Sequence, residues 1–385
     1  MRGLGGLRGT LAGEACGMAD DARAARARDR VTGTGRAWAG GAGRAVASLG
    51  TMQRFEGRRW PVALQAAVAM ATPAAVGVLT GHASTGLLAS SGAFTTLYAA
   101  HRSPAERARI LPLVAVVLTA CAAAGAATGP WPLATGIGLI VVAAAAAALV
   151  YAFSVGPPGP LFPLIAYGLA SHVSVLEDGV RHTPPGEVIG AFAAGTAFAC
   201  LVAASSLLRA RNRVPVAPLR ALLPGPRWDA VTTELFVRVL IVAVVGTTVS
   251  LVLVDPERAY WTVGAGLAVI GARPGRRHAA QRGIHRIVGT AAGAALYVAV
   301  AGALTLPPLA LAAVLGALQF GAQMLVVRHY ALALVCITPM VLILAGAARG
   351  EDPTMVVVME RVLDTAVGAT LGAATGLLHR VRRSP

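Results

Sequence analysis

Residues 258–293, RAYWTVGAGLAVIGARPGRRHAAQRGIHRIVGTAAG, alternate between two kinds of sequence. An apolar, glycine-rich run ends near Gly271, a loop carrying Arg273, Arg276, Arg277 and Arg282 follows, and from Arg286 the chain turns apolar again. A run that is apolar on every side has no face to turn toward water. Arginine gathered between two such runs marks the cytoplasmic side of a membrane. The stretch therefore predicts two membrane helices joined on the inside by a basic loop.

The composition extends that reading to the whole chain. Of 385 residues, 56% are hydrophobic and 13% charged, against about 25% charged in soluble domains. A disordered chain needs the opposite balance. The net charge of +16 lies outside the apolar runs, so it argues for a lipid bilayer as partner and against nucleic acid. All 33 basic residues are arginine; GC-rich codon usage accounts for that, which gives their positions more weight than their number. The four cysteines have neither metal-ligand nor disulfide spacing.

Residues 1–59 read as a disordered, basic cytoplasmic tail without a signal-peptide core, with Met18 and Met52 as alternative starts. Beyond it, twelve segments approach the roughly 20 apolar residues that cross a bilayer. They are 61–80, 84–100, 110–128, 132–153, 161–176, 187–208, 231–254, 258–272, 285–305, 308–327, 330–347 and 354–378. With a cytoplasmic N-terminus, 28 of the 33 arginines fall on the inner side and only Arg181, Arg258 and Arg349 in outer loops. Both termini, including the short tail 380–385, are then inside.

The chain also repeats itself. Arg109-Ile110 matches Arg286-Ile287, Pro132-Leu133-Ala134 matches Pro308-Leu309-Ala310, and Glu187 with Gly195 matches Glu360 with Gly368, at offsets of 177, 176 and 173. The fold expected is all-α and polytopic, with two parallel six-helix repeats, 60–208 and 231–379, joined by a basic linker, 209–230. Repeats of this kind suit a secondary transporter with its path between the halves. The short, glycine-interrupted second and eighth spans are where such folds hold substrate; close helix packing is the equal alternative.

Charge inside hydrocarbon is costly unless it faces a cavity or partner, so the few intramembrane ionisable residues are the sharpest candidates. Arg286, Arg361 and Arg238 are placed as ligands for an anion, because guanidinium pairs bidentately with carboxylate. Glu360, Asp364 and Glu234 are placed as proton carriers. A closed ionic network pinning the halves together is the competing reading, with Glu234 and Arg238 one helical turn apart. Tyr260 and Trp261 stack on an aromatic ligand or belong to an interfacial belt. His172 is a proton relay or a packing residue. Gly289 with Gly293, and Gly368, Gly372 and Gly376, have the spacing of packing faces. A P-loop, a zinc cluster and a GxSxG elbow are all missing, so no enzyme activity, metal or cofactor is expected.

The stretch Ala259-Tyr260-Trp261-Thr262, the basic loop and Arg286-Ile287-Val288-Gly289-Thr290-Ala291-Ala292-Gly293 resemble fusaric acid resistance-like proteins of the aromatic acid exporter family. Ile337-Thr338-Pro339 and Glu360-Arg361-Val362-Leu363-Asp364-Thr365-Ala366-Val367-Gly368 are similar to the last two spans of that family. The first half lacks the Arg-x-x-Gly-Thr pattern at its third span. The resemblance implies an inner-membrane exporter of aromatic carboxylic acids driven by the proton gradient, with plant aluminium-activated malate channels as distant kin. Larger bacterial members carry a soluble domain between the halves and work with a periplasmic adaptor; the linker of about 20 residues here puts that adaptor in doubt. A homo-oligomer is compatible with this reading. The expectation is thus a permease for small organic anions, with a gated organic-anion channel and a non-transporting membrane scaffold as alternatives.

Overall fold

Proline and small polar caps set where the helices begin. The computed structural model describes residues 43–379 apart from 56, 182, 224, 273, 304–305 and 349–353. Its principal helices are α1 (Trp60–Leu79), α2 (Ala83–Ser90), α3 (Pro104–Thr128), α4 (Pro132–Ala152), α5 (Leu161–His172) and α6 (Pro185–Ala204), followed by α7 (Ala230–Leu253), α8 (Ala259–Ile270), α9 (Arg276–Ala303), α10 (Pro308–Leu325), α11 (Tyr330–Ala348) and α12 (Met355–Ala374). Proline opens α3, α4, α6 and α10, where its missing N–H is one that the helix would leave unpaired anyway. Ser103 and Glu106 form a reciprocal capping box on α3, and the Asp229 side chain accepts from Thr232 N at 2.7 Å to cap α7.

Among the described residues, seven helices (α1, α3, α4, α6, α7, α9 and α10) are long and apolar enough to cross a membrane. Helices satisfy their own backbone and so suit hydrocarbon; the chain is an all-α, multi-pass membrane protein. Each of the twelve expected segments contains one helix, but their bounds differ from the expectation. Helices α3 and α9 begin several residues earlier, so Arg107, Arg109, Arg276, Arg277 and Arg282 ride on helices rather than in loops. Helix α2 stops at Ser90 and continues as a 3₁₀ segment, Ser91–Leu97. After α5 comes a tight hairpin of β1 (Leu176–Glu177) and β2 (Val180–Arg181) instead of more helix.

The tail reading needs correction for residues 43–55. Residues 43–50 form a helical turn held against α9 and the start of α11. Ser48 Oγ lies 2.8 Å from His285 Nε2, Gln53 N donates to the Arg328 carbonyl at 2.9 Å, and His329 Nε2 donates to the Leu49 carbonyl at 2.9 Å. His329 Nδ1 accepts from Leu332 N at 3.1 Å, so Nε2 is the donor nitrogen of this ring. Residues 1–42 and 380–385 lie outside the described residues.

Packing follows a recurring scheme. Helix α3 packs on α5 and α6, α1 on α2, and α2 on α6; likewise α9 packs on α11 and α12, α7 on α8, and α8 on α12. The two groups meet where α10 lies along α1 and α4 along α7. Small residues let backbones touch: a Cβ at Gly368 would overlap the Thr262 carbonyl, and one at Gly195 would overlap the Ala89 carbonyl. Gly289 and Gly293 press on Ala331 and Leu334, while Gly372 meets Gly266, so these glycines are packing faces.

The 3₁₀ segment that continues α2, and α8 in the second group, each end on an arginine. Arg107 donates from Nη2 to the Thr96 carbonyl at 2.6 Å and from Nη1 to Gln65 Oε1 at 2.7 Å. Arg282 Nε donates to the Ala268 carbonyl at 2.9 Å, at the last turn of α8. Beyond that turn Gly271 takes φ +60°, open to glycine at little cost, and its carbonyl accepts from Tyr151 Oη at 2.7 Å.

Replacing Gly368 with leucine is expected to cost about 2 kcal/mol or more through overpacking, read by reversible unfolding in mixed micelles. Gly190→Leu, where an added Cβ meets nothing within 4 Å, serves as the unchanged reference. In the same assay Arg107→Ala should cost about 2–3 kcal/mol by stranding two buried acceptors, and Arg282→Ala less, since its guanidinium is half-buried. Equal stability of Gly368→Leu and wild type would refute the close α8–α12 contact.

Candidate functional site

Helix α12 buries Val358, Arg361, Asp364, Thr365, Gly368, Ala369 and Gly372, a stripe at three- and four-residue spacing that is one face of a helix. Met355, Val356, Met359 and Leu363 take the exposed side. The helix therefore turns its charges inward, as the cost of charge in lipid requires. Arg361 is 4% exposed and Asp364 not at all.

The glycine contact between α8 and α12 sets what these two charges meet. With Thr262 backbone against Gly368, the Thr262 hydroxyl donates to Asp364 Oδ1 at 3.1 Å. One residue earlier, the Trp261 ring lies under the Arg361 guanidinium, 4.9 Å from its centroid, a cation–π arrangement. From α9, Arg286 Nη1 donates to the Tyr330 hydroxyl at 2.9 Å, while Arg282 covers the Tyr330 ring at 4.2 Å. Arg286, Tyr260, Tyr330 and Asp364 all act electrostatically on Arg361, so residues of four helices converge on it.

Several buried atoms of this cluster have no hydrogen-bond partner among the described residues: Arg361 Nε, Asp364 Oδ2, Arg286 Nε, Trp261 Nε1 and Thr365 Oγ1. No ion pair within 4 Å joins Arg361 to Asp364 among the described residues, although they lie one turn apart. Buried polar atoms without partners are expensive, and this concentration of them leaves both an acidic and a basic group free to take up a ligand.

The other expected residues sit elsewhere. Glu360 is held in an ion pair by Arg258, which also reaches Asp255 at 3.1 Å; the same rim carries Glu257 beside His172 at 3.9 Å and His172 beside the Tyr260 ring at 5.9 Å. Arg238 is fully buried, with its Nη1 3.6 Å from Glu234 and its Nε donating to Thr375 Oγ1 at 3.2 Å. His379 donates to the same Glu234 carboxylate at 3.0 Å. Thr375 lies about 20 Å farther along the helix than Arg361 at 1.5 Å per residue. Arg238 and Glu234 thus form a clip tying α7 to the end of α12, apart from the Arg361 cluster. Spacing showed that the two share a face, and not which residues of other helices they meet.

Thr262, Tyr330, Arg282 and Arg258 escaped sequence reasoning. Arg282 had a visible signal, lying one turn before Arg286 on the same helix face. In the sequence Arg258 counts only as an outer-loop arginine and Tyr330 is not singled out, and only the tertiary contacts bring them in.

The cluster also lies within the second group of helices rather than between the two. At 173 residues before Tyr260, Trp261, Thr262, Arg361 and Asp364 stand Leu87, Leu88, Ala89, Val188 and Ala191, all buried in one apolar core. The close contact of Gly195 with Ala89 has the same offset from that of Gly368 with Thr262. The two close contacts thus differ in what surrounds them: a hydrocarbon core beside Gly195 and an ionic cluster beside Gly368. No group of three or more His, Cys, Asp or Glu able to hold a metal occurs among the described residues.

Comparison with protein families matches residues 230–375 to the family described as fusaric acid resistance protein-like. Neither the curated proteins nor the solved structures give a match. Residues 230–375, which hold α7 to α12 and every member of the Arg361 cluster, are thus the part of this multi-pass membrane protein that is similar to the fusaric acid resistance protein-like family.

Proposed function

We propose that the chain is an inner-membrane secondary transporter that exports small organic anions, aromatic carboxylic acids of the fusaric acid type, at the expense of the proton gradient. The observation that carries this reading is the pair of buried guanidiniums, Arg361 and Arg286, with unpartnered nitrogens beside an unpartnered Asp364 oxygen. The guanidiniums of Arg361, Arg286 and Arg282 outnumber the one carboxylate, and a carboxylate substrate offsets part of that excess through charge-assisted hydrogen bonds. Trp261 and Tyr330 supply aromatic surface next to those nitrogens. Asp364 takes the proton, whereas Glu360, committed to Arg258, sets the outer rim.

The arrangement proposed is twelve spans in two parallel repeats, with both termini cytoplasmic. It is supported by the arginine distribution and by the packing scheme that recurs in the two groups of helices. The path then runs through the second repeat, and the first acts as its apolar counterpart.

The test is accumulation of radiolabelled aromatic acids in an efflux-deficient host at matched membrane expression. Wild type should lower accumulation, and an uncoupler should abolish the effect. Arg361→Gln and Arg286→Gln should each reduce export at least about tenfold, the equivalent of 1.4 kcal/mol. Asp364→Asn should leave flux that no longer responds to the uncoupler. Export unchanged in both arginine variants would overturn the site. Steady anion current that is indifferent to Asp364→Asn, with no uphill export by the wild type, would replace the transporter with a channel.

A further inference from the structure

The linker between the helix groups does not trail free. It folds back on the cytoplasmic end of α3, where Arg109 Nη1 donates to the Val216 and Ala217 carbonyls at 3.3 and 3.0 Å, Arg102 Nη2 donates to the Leu222 carbonyl at 3.2 Å, and the Leu222 side chain is buried against Ala99 and Ile110. Between linker and helix this leaves an open cleft of about 450 Å³. Arg109 and Arg213 stand at its edge, and Ala105, Leu207, Val214 and Pro215 line it. Arg213 Nε is anchored on the Leu207 carbonyl at 2.8 Å. Each guanidinium is therefore fixed by one nitrogen, with its others uncommitted among the described residues.

The surroundings select the ligand. No acidic residue occurs from 205 to 228, while Arg209, Arg211, Arg213, Arg220 and Arg227 do, and all five are exposed. Next in the chain to Leu207 of the cleft, Leu208 is 79% exposed, and Leu201 on the preceding helix is 69% exposed. At the far end of the linker an exposed Trp228 packs edge-on against Phe236, as tryptophan does at the level of lipid headgroups. Positive charge over an apolar floor that runs on into a lipid-facing helix is the complement of an amphiphile with an anionic head.

We propose that this cleft binds one anionic phospholipid of the cytoplasmic leaflet, its phosphodiester between Arg109 and Arg213 and its acyl chains along α6 past Leu201 and Leu208. The fixed guanidiniums make it a site rather than a diffuse attraction, since a bound head meets donors already held in place. The inference is independent of what the Arg361 cluster carries.

The experiment is native mass spectrometry of the full chain in neutral detergent, titrated in separate runs with phosphatidylglycerol and phosphatidylcholine. Phosphatidylglycerol should bind at least about tenfold tighter than phosphatidylcholine, and millimolar inorganic phosphate should not displace it. Arg109→Gln with Arg213→Gln should erase the preference, Arg213→Gln alone should weaken it without touching the Arg109 anchors of the linker, and Arg220→Gln should retain it. Equal binding of the two lipids, displacement by phosphate, or a preference that survives in both Arg213 variants would overturn the proposal.

Discussion

The approach of α8 to α12 at Thr262 and Gly368 governs the rest of the second helix group. A side chain on Gly368 would push the two backbones apart, and with them would go the Thr262 bond to Asp364 and the stacking of Arg361 on Trp261. Helix association in lipid has no hydrophobic drive of its own; contact between backbones has to supply the attraction, and glycine is what permits it. The ionic cluster is thus a by-product of steric fit. Where the fit recurs at Gly195 and Ala89 the same geometry exists, but Val188 and Ala191 fill it with hydrocarbon.

Much of this was legible in the sequence. Apolar runs and arginine loops place helices in the right order, because membrane helices obey one-dimensional rules of length and charge. The small-xxx-small glycines were correctly read as packing faces for the same reason. The inward placement of Arg361 and Asp364 was also within reach, since two charges at three-residue spacing in lipid must share the buried face. What one dimension cannot supply is depth and partnership. Glu234 and Arg238 looked like Arg361 and Asp364, yet the first pair is closed by Thr375 and His379, which sit beyond the other end of α12. Glu360 looked available until Arg258, on another helix end, reached it.

Helix boundaries failed in a consistent direction. Hydropathy ends a span where arginine begins, but a helix does not stop for charge: α3 and α9 run on through their basic turns. That extension is what lets Arg107 and Arg282 reach back to carbonyls near the ends of the 3₁₀ segment after α2 and of α8. Residues counted as topological markers are therefore structural ties as well, and the positive face of the protein is partly spent on its own backbone.

Burying arginine rather than lysine on Trp261 has an effect on titration. A lysine in that position would surrender its proton readily once desolvated, whereas guanidinium stays charged throughout the biological range. With no lysine in the chain, the cations within the helices form a constant background. Any response of this interior to pH then falls to its few carboxylates and imidazoles, set against a fixed charge supplied by arginine.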